Sequence, residues 1–457
     1  MNFLFSVNFW GKSFTDLFLK YCLPSQLAPD NLPYMVRNNQ GDAKYWIYTT
    51  REDAITVRES PVFARLSRLV ETKIIYLEDI DTYGLCNRGT MTQCHAHAIE
   101  SANQIDYSII IVCPDTVFSH NTFKSLLELT QSGKKNVMCG ALIAQTAPFL
   151  EEFDRTFSSD GGVLTLPPRE LVALCNKHLS GQILNWFWDS PTYYIWPQSF
   201  IFWRVPGEGI LERAVHLIPF LITPDNKDAK LTYDPCNQRA IDSHAYLGQA
   251  ISDFTSVHVV DDSDDICIIS VNDLDHIVPP EKSSITSLAI FAKDFLYPHN
   301  VYLFRNKIRW HHSDLSPQWD QVESSSEEIA QRFYSMLELL DQYPDIYHEL
   351  KNIRQTILKA TEKDRLQQQQ LLDAAGGLYH AGKELFDVKL FDKAATALYK
   401  VLEIVPGHLQ THLDLARTHA AMNDYSKAFK LLLHVLQVNP GNPDALAIAN
   451  SLINKNG

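Results

Sequence analysis

The chain has no excess of positive charge. Its 457 residues hold 40 Lys+Arg against 54 Asp+Glu, a net charge of −14. That balance repels a polyanion and argues against general nucleic-acid binding, while leaving room for a local pocket that takes one phosphorylated small molecule. Long hydrophobic runs are missing too: none approaches the about 18 residues of a membrane-spanning helix. Paired cysteines are absent. The eight, at 22, 86, 94, 113, 139, 175, 236 and 267, form no C-x-x-C and none follows Cys267. Scattered thiols of this kind read as reduced cysteines of a cytoplasmic protein rather than a disulfide framework. The apolar start, Met1 to Trp10, has no basic flank and no small-residue cleavage site, so it reads as a buried first strand. Neither G-x-G-x-x-G, G-x-x-x-x-G-K-[ST] nor G-x-S-x-G occurs. Their absence disfavours a dinucleotide-binding dehydrogenase, a P-loop NTPase and an α/β-hydrolase.

Hydrophobic residues at 45% and charged residues at 21% are ordinary globular values, and this length implies two or three domains. Residues 1–145 alternate strand and helix. Strands are expected at Phe3–Phe9, Tyr45–Thr49, Lys73–Tyr76, Tyr107–Cys113 and Asn136–Ile143. Amphipathic stretches between them lie at Phe14–Cys22, Val62–Val70, Met91–Ala102 and Asn121–Gln131. This order predicts an α/β fold with a mostly parallel sheet flanked by helices, binding ligand at the carboxyl ends of its strands. Residues 146–320 change character: aromatics cluster over Trp186–Trp196, and short β runs follow at Phe200–Arg204, Ala214–Ile222 and Val257–Val260. A second, mixed lobe is expected there, then a helical connector over 321–374.

The C-terminal part, 375–457, repeats itself. Leu402-Glu403-Ile404-Val405-Pro406-Gly407-His408 returns 34 residues later as Leu436-Gln437-Val438-Asn439-Pro440-Gly441-Asn442. At the same offset Phe391 matches Tyr425, Ala394 matches Ala428 and Gly382 matches Ala416. A small residue lets two helices cross closely, an aromatic fills the gap, and Pro ends the second helix. This resembles tetratricopeptide repeats, with about two units over 375–441 and a capping helix from Pro443. The resemblance implies binding of a protein partner or self-association into a homo-oligomer.

The sharpest local feature is Ile109-Ile110-Ile111-Val112-Cys113-Pro114-Asp115, an apolar strand ending in a carboxylate. Such a carboxylate can hold a divalent cation through oxygen, or it can cap the following segment; on the motif alone the two readings weigh equally. With Thr49-Thr50-Arg51-Glu52-Asp53 after an earlier strand, the order resembles the nucleotide-sugar-binding half of GT-A-type glycosyltransferases over roughly residues 1–270. That family carries Asp-x-Asp at this strand end. Asp115 matches the second acid and Cys113 stands at the first, which weakens a metal site. The resemblance implies a Rossmann-like GT-A catalytic domain over 1–320, divided at 145/146 into a donor-binding half and an acceptor lobe. It places the donor near Val7, Asn8, Trp10, Thr50 and Asp53. It also implies Mn²⁺ or Mg²⁺ at Asp115, with His216 as a further metal or phosphate ligand.

Other residues carry competing readings. Phe9 and Trp10 are of a type that more often fills cores. A histidine within the apolar run Ala214–Ile222 is more often a satisfied core residue than a ligand. Asp242, in Asp242-Ser243-His244, is the preferred functional acid of the second lobe, since Asp261 and Asp265 sit in an acidic run that reads as a solvated loop. Trp186, Trp188, Tyr193, Tyr194 and Trp196 offer faces for a sugar ring. Cys94-His95-Ala96-His97 and His311-His312 read as structural, the former because residues two apart on a helix do not share a face. Two functions follow. One is a cytoplasmic, bacterial glycosyltransferase moving a sugar from a nucleotide-sugar donor to a protein or glycan acceptor. The other is a catalytically inactive relative whose repeats are the working part.

Overall fold

The first strand has no exposed face. All six residues of β1 (Phe3–Asn8) are buried, as a central strand covered on both sides requires. In the computed structural model it pairs in parallel with β2 (Ala43–Thr49) on one side and β4 (Ser108–Val112) on the other. β3 (Glu71–Tyr76) extends the sheet beyond β2. The structure describes all residues except 81–84, 86, 192, 194–199, 233–240, 242–243, 273–283, 294–299, 405–407, 439–441 and 457. Within helices, side chains 244–245, 300, 353–374, 437–438, 443 and 453–456 are also outside the description.

Three strands complete this sheet: β6 (Val137–Cys139), β10 (Ile218–Ile222) and β11 (His258–Val259). The order is β11-β6-β10-β4-β1-β2-β3, and only β10 runs against its neighbours. The sheet is therefore seven-stranded and largely parallel, and it draws β10 and β11 from beyond residue 146. Odd residues of β1 pack into one core with Phe18, Leu32 and Phe123. Leu4 faces the other, built on Cys94, Ala98, Ile99 and Ala102 of the helix Asn87–Ile105.

A second sheet joins β5 (Thr116–Phe118), β12 (Ile268–Val271) and β7 (Leu142–Ala144). A third joins β8 (Phe200–Val205), β9 (Gly209–Ala214) and β13 (Ile308–His311). Two expected strands are broken. Asn136–Ile143 divides at Gly140 into β6 and β7, which belong to different sheets. A Cβ on Gly140 would lie 2.7 Å from Glu212 Oε2 and 3.0 Å from the Trp310 ring. Ala214–Ile222 divides at residues 215–217, where the chain leaves the third sheet and enters the first. The helix Gln318–Gln342 lies in the same compact unit, Met1–Lys351, and is clamped by Arg213. This buried guanidinium bonds Ser326 Oγ, the Phe304 and Arg305 carbonyls, and Glu327 at 2.6 Å.

The second unit, Asn352–Gly457, is all helical. Beyond the end of the helix Pro344–Asp387 it contains Phe391–Ile404, Leu409–Ala421, Tyr425–Val438 and Pro443–Asn456. The 34-residue period is visible in the backbone. Lys389 and Asn423, one period apart, both take a left-handed φ of 63° in the turns before Phe391 and Tyr425. The matched Ala394, Ala416 and Ala428 are fully buried. Gly382 lies so close to Leu398 that a Cβ would come within 2.8 Å of its side chain.

Candidate functional site

The carboxyl edge of the main sheet gathers most of the expected residues. β1 ends at Asn8, β2 at Thr49 and β4 at Val112, and their parallel registers bring these ends to one edge. β10 runs antiparallel to β4, with Leu221 opposite Ile110. Its beginning, and His216 just before it, therefore lie off the same edge. His216 is not inside a strand as expected. It sits in the 215–217 link, half-buried, with its ring 6.4 Å from that of Phe200.

Asp115 occupies a tight turn. The Cys113 carbonyl accepts from Thr116 Oγ1 at 2.6 Å and from its N–H at 3.3 Å, which swings the chain into β5 before any helix begins. The Asp115 carbonyl accepts from the Val271 N–H at 2.7 Å, and Oδ2 accepts from Asn272 Nδ2 at 3.3 Å. The side chain is half-buried. Burial holds its pKa above the ordinary carboxyl value, opposed by hydrogen bonds from Asn272 and Ser270. It caps no helix: the helix Thr122–Gln131 has Asn121 at its cap. Among the described residues no cation pairs with it, and it belongs to no group of three potential metal ligands. The described side chains around Asp115 therefore do not by themselves fit a divalent cation. Cys113 is a half-buried cysteine outside any disulfide.

At β1 and β2 the expected residues divide by role. Val7 is fully buried and serves the core, as does Phe9, whose ring lies 4.7 Å from that of Phe18. Trp10 is half-buried against the other core. Thr50 caps the helix Arg51–Glu59, which is not among the expected helical stretches. Asp53 is engaged by the protein itself. It accepts from the Gly11 N–H at 2.8 Å, Thr15 Oγ1 at 3.1 Å and Thr50 Oγ1 at 2.7 Å. Gly11 has φ +81°, a left-handed value that glycine takes without strain. Asp53 thus ties two strand-end loops together.

Asn8 has a partner that the spacing argument set aside. Its Nδ2 donates to His95 Nε2 at 2.8 Å, and both side chains are buried. His97, on the same helix, lies 3.0 Å from Tyr48 Oη through Nδ1. Two histidines that share no helix face thus reach two adjacent strands, β1 and β2. Asp242, Tyr194 and Trp196 lie outside the described residues. Trp186 is core, stacked on Phe200 and Phe202, and Tyr193 is fully buried.

The cluster that does bring potential ligand atoms within 4.8 Å of one another is Asp262, Asp264 and His311. His311 Nε2 lies 2.8 Å from Asp262 Oδ1, and Nδ1 lies 2.8 Å from the Ser313 carbonyl. Burial works against a charged imidazole here. The Asp262 and Ser313 hydrogen bonds and the two carboxylate charges prevail, so the His311 pKa lies above its ordinary value. Arg169 already bonds Asp264 at 2.9 Å and Asp314 at 2.6 Å. Asp262 is thus bonded to His311 and Asp264 to Arg169, and the group is a strut joining three segments. Glu212 is different in kind. It is fully buried, accepts from Trp310 Nε1 at 2.6 Å through Oε2, and has no partner at Oε1 among the described residues.

Among the described residues no helix is long and apolar enough to cross a membrane. A tetratricopeptide-repeat family model matches residues 385–452, within the second unit. No curated protein matches the chain. Among solved structures, a similarity is found to a Bacillus anthracis protein assigned as a glucose-1-phosphate thymidylyltransferase, crystallised in complex with a sucrose. The identity is 12% and the TM-score 0.20, over 32% of this chain and 57% of that one. The chain thus spans a little over half the length of that structure.

Proposed function

We propose that the α/β unit is a glycosyltransferase of GT-A type, which binds a nucleotide-sugar donor at the carboxyl edge of the main sheet and transfers the sugar to a protein or glycan acceptor. The observation that carries this reading is the convergence of Asn8, Thr50, Asp115 and the His216 link at that edge, the place where parallel α/β sheets bind ligands. Transfer breaks the bond between the anomeric carbon and the diphosphate oxygen and forms one to an acceptor oxygen, whose proton passes to a base. Asp115 is assigned to the diphosphate side by position, its carboxyl group held through Asn272 and favoured in the neutral form by burial, which lets it donate to a phosphate oxygen. Asp242 is the acid assigned to the acceptor side. No step is routed through a metal, since one carboxylate beside a thiol is a poor oxygen shell for a hard cation. Mn²⁺ and Mg²⁺ enter only as arms of the test. The repeats bind the acceptor or a partner protein, or join copies of the chain.

Cys113 in place of an acid favours a second reading, an inactive relative in which the repeats alone work. A screen of nucleotide-sugars for donor consumption and binding, with and without Mn²⁺, separates the two. The first reading expects saturable binding that Asp115→Ala removes. Consumption of no donor and binding of no nucleotide, together with capture of a partner protein by the repeats, would support the second.

A further inference from the structure

His311 is oriented by the nitrogen that faces away from its carboxylates. Nδ1 lies 2.8 Å from the Ser313 carbonyl. A carbonyl oxygen only accepts, so the ring proton of the neutral imidazole sits on Nδ1 and Nε2 carries a lone pair. Nε2 faces Asp262 Oδ1 at 2.8 Å and Asp264 Oδ2 at 3.7 Å, and ionised carboxylates accept too. Three lone-pair atoms drawn this close need a cation among them. A second proton on Nε2 serves Asp262 alone, because 3.7 Å is beyond hydrogen-bond reach. A metal ion serves all three.

From this arrangement we infer that Asp262, Asp264 and His311 form a zinc site. With metal–ligand bonds of about 2.0–2.2 Å, ligand atoms of a tetrahedral ion lie about 3.3 Å apart, between the two separations observed here. An imidazole among three ligands favours Zn²⁺ over Mg²⁺ and Ca²⁺, which take oxygen shells. The fourth position is left for water or a ligand oxygen. The frame is set without the metal. The Ser263 N–H bonds the Arg309 carbonyl at 2.9 Å, the Arg309 N–H bonds the Asp261 carbonyl at 2.8 Å, and the His311 N–H bonds Ser263 Oγ at 3.1 Å. Arg169 orients Asp264 through Nε at 3.0 Å and Nη2 at 2.9 Å, and the Ser313 carbonyl orients His311, the outer-shell support that metal ligands require. His311 is buried, whereas both carboxylates are partly exposed and give an entry path. Residues 261–265 follow β11, three strands from β4 and so about 14 Å across the sheet. The site is therefore separate from Asp115 and does not rest on the donor reading.

The test is calorimetric titration of the metal-stripped full chain with Zn²⁺. The stacked pair His412–His434 is a competing binder, so every arm carries His434→Gln. This parent should bind one Zn²⁺ with a dissociation constant of about 10 µM or tighter, and zinc should raise its melting temperature. Asp264→Asn and His311→Gln should each weaken binding at least about tenfold and abolish the zinc-dependent stabilisation. X-ray absorption of the zinc-loaded parent needs no variant and covers the case in which these two fail to fold. It should show one imidazole with oxygen neighbours, and no sulfur at about 2.3 Å. A sulfur shell or two imidazoles would overturn the inference. So would no saturation by about 1 mM zinc, variants that bind zinc as the parent does, or tighter binding of Mg²⁺ or Ca²⁺ than of Zn²⁺.

Discussion

Glu212 offers the most direct check on the electrostatics of the α/β unit. It lies on β9, the middle strand of the third sheet, in register with Ile308 and Phe202. Its carboxyl group is fully buried over Gly140, with the Trp310 indole as its one hydrogen-bond donor. Burial pushes its pKa up from 4.5 to about 8, with the Trp310 bond pulling the other way. Between those values the fold keeps a proton that the unfolded chain has released, so stability falls as pH rises through this window. One pKa unit corresponds to about 1.4 kcal/mol, which puts the loss at roughly 3 kcal/mol by pH 7 and roughly 5 kcal/mol by pH 9. Glu212→Gln keeps the shape and the neutral state but cannot ionise. Urea unfolding of both proteins from pH 5 to pH 9 is the assay. Near pH 5 the two should unfold at similar midpoints, and by pH 9 the variant should be the more stable by several kcal/mol. A variant uniformly less stable across the range would refute the argument, because it would mean that the native carboxyl is ionised and compensated.

Three further outcomes are expected. Asp53→Ala removes the acceptor for the Gly11 amide and for two threonine hydroxyls, and should cost about 1–2 kcal/mol, read from the denaturation midpoint; an unchanged midpoint would count against its bracing role. Gly382→Val forces a branched side chain onto Leu398 and should destabilise the repeat unit by about 1–3 kcal/mol, seen as faster amide exchange in the helix Phe391–Ile404. Burial, then the charges of His434 and His408, lowers the pKa of His412, whose ring is stacked 4.4 Å from that of His434. The fold therefore favours neutral His412, and its stabilising share is complete above pH 6.5 and lost as the pH falls. Protection factors, which correct for the intrinsic slowing of exchange in acid, should fall in the helices Leu409–Ala421 and Tyr425–Val438 from pH 7.5 to pH 5, and His412→Asn should blunt the change.

Much of the fold was legible because its signals are local. β4 shows itself in the apolar run Ile109–Val112 and β1 in Phe3–Val7, interrupted only by Ser6, short β-rich runs of the kind that a strand buried on both faces carries. The repeats follow from a period, and Lys389 and Asn423 show that period in the backbone itself. The helix Arg51–Glu59 carries its own local signal: Thr50 accepting from the Asp53 N–H is a capping pair three residues apart. The breaks at Gly140 and at 215–217 had none. At Gly140 the cause is a carboxyl group and an indole arriving from residues 212 and 310. His95 was set aside because it shares no helix face with His97, yet each reaches a different strand.

By itself the sequence determined the alternation of strand and helix, the apolar strand that delivers Asp115 to a sheet edge, and the helical repeat. Each depends on residues within a few positions of one another, or on a pattern that recurs along the chain. Only the tertiary structure decided that β10 and β11 complete the first sheet, that Asp53 is a brace, and that Asn8 meets His95. Those facts depend on contacts between residues tens of positions apart, such as the 2.8 Å bond across 87 residues from Asn8 to His95, and a linear pattern carries no record of them.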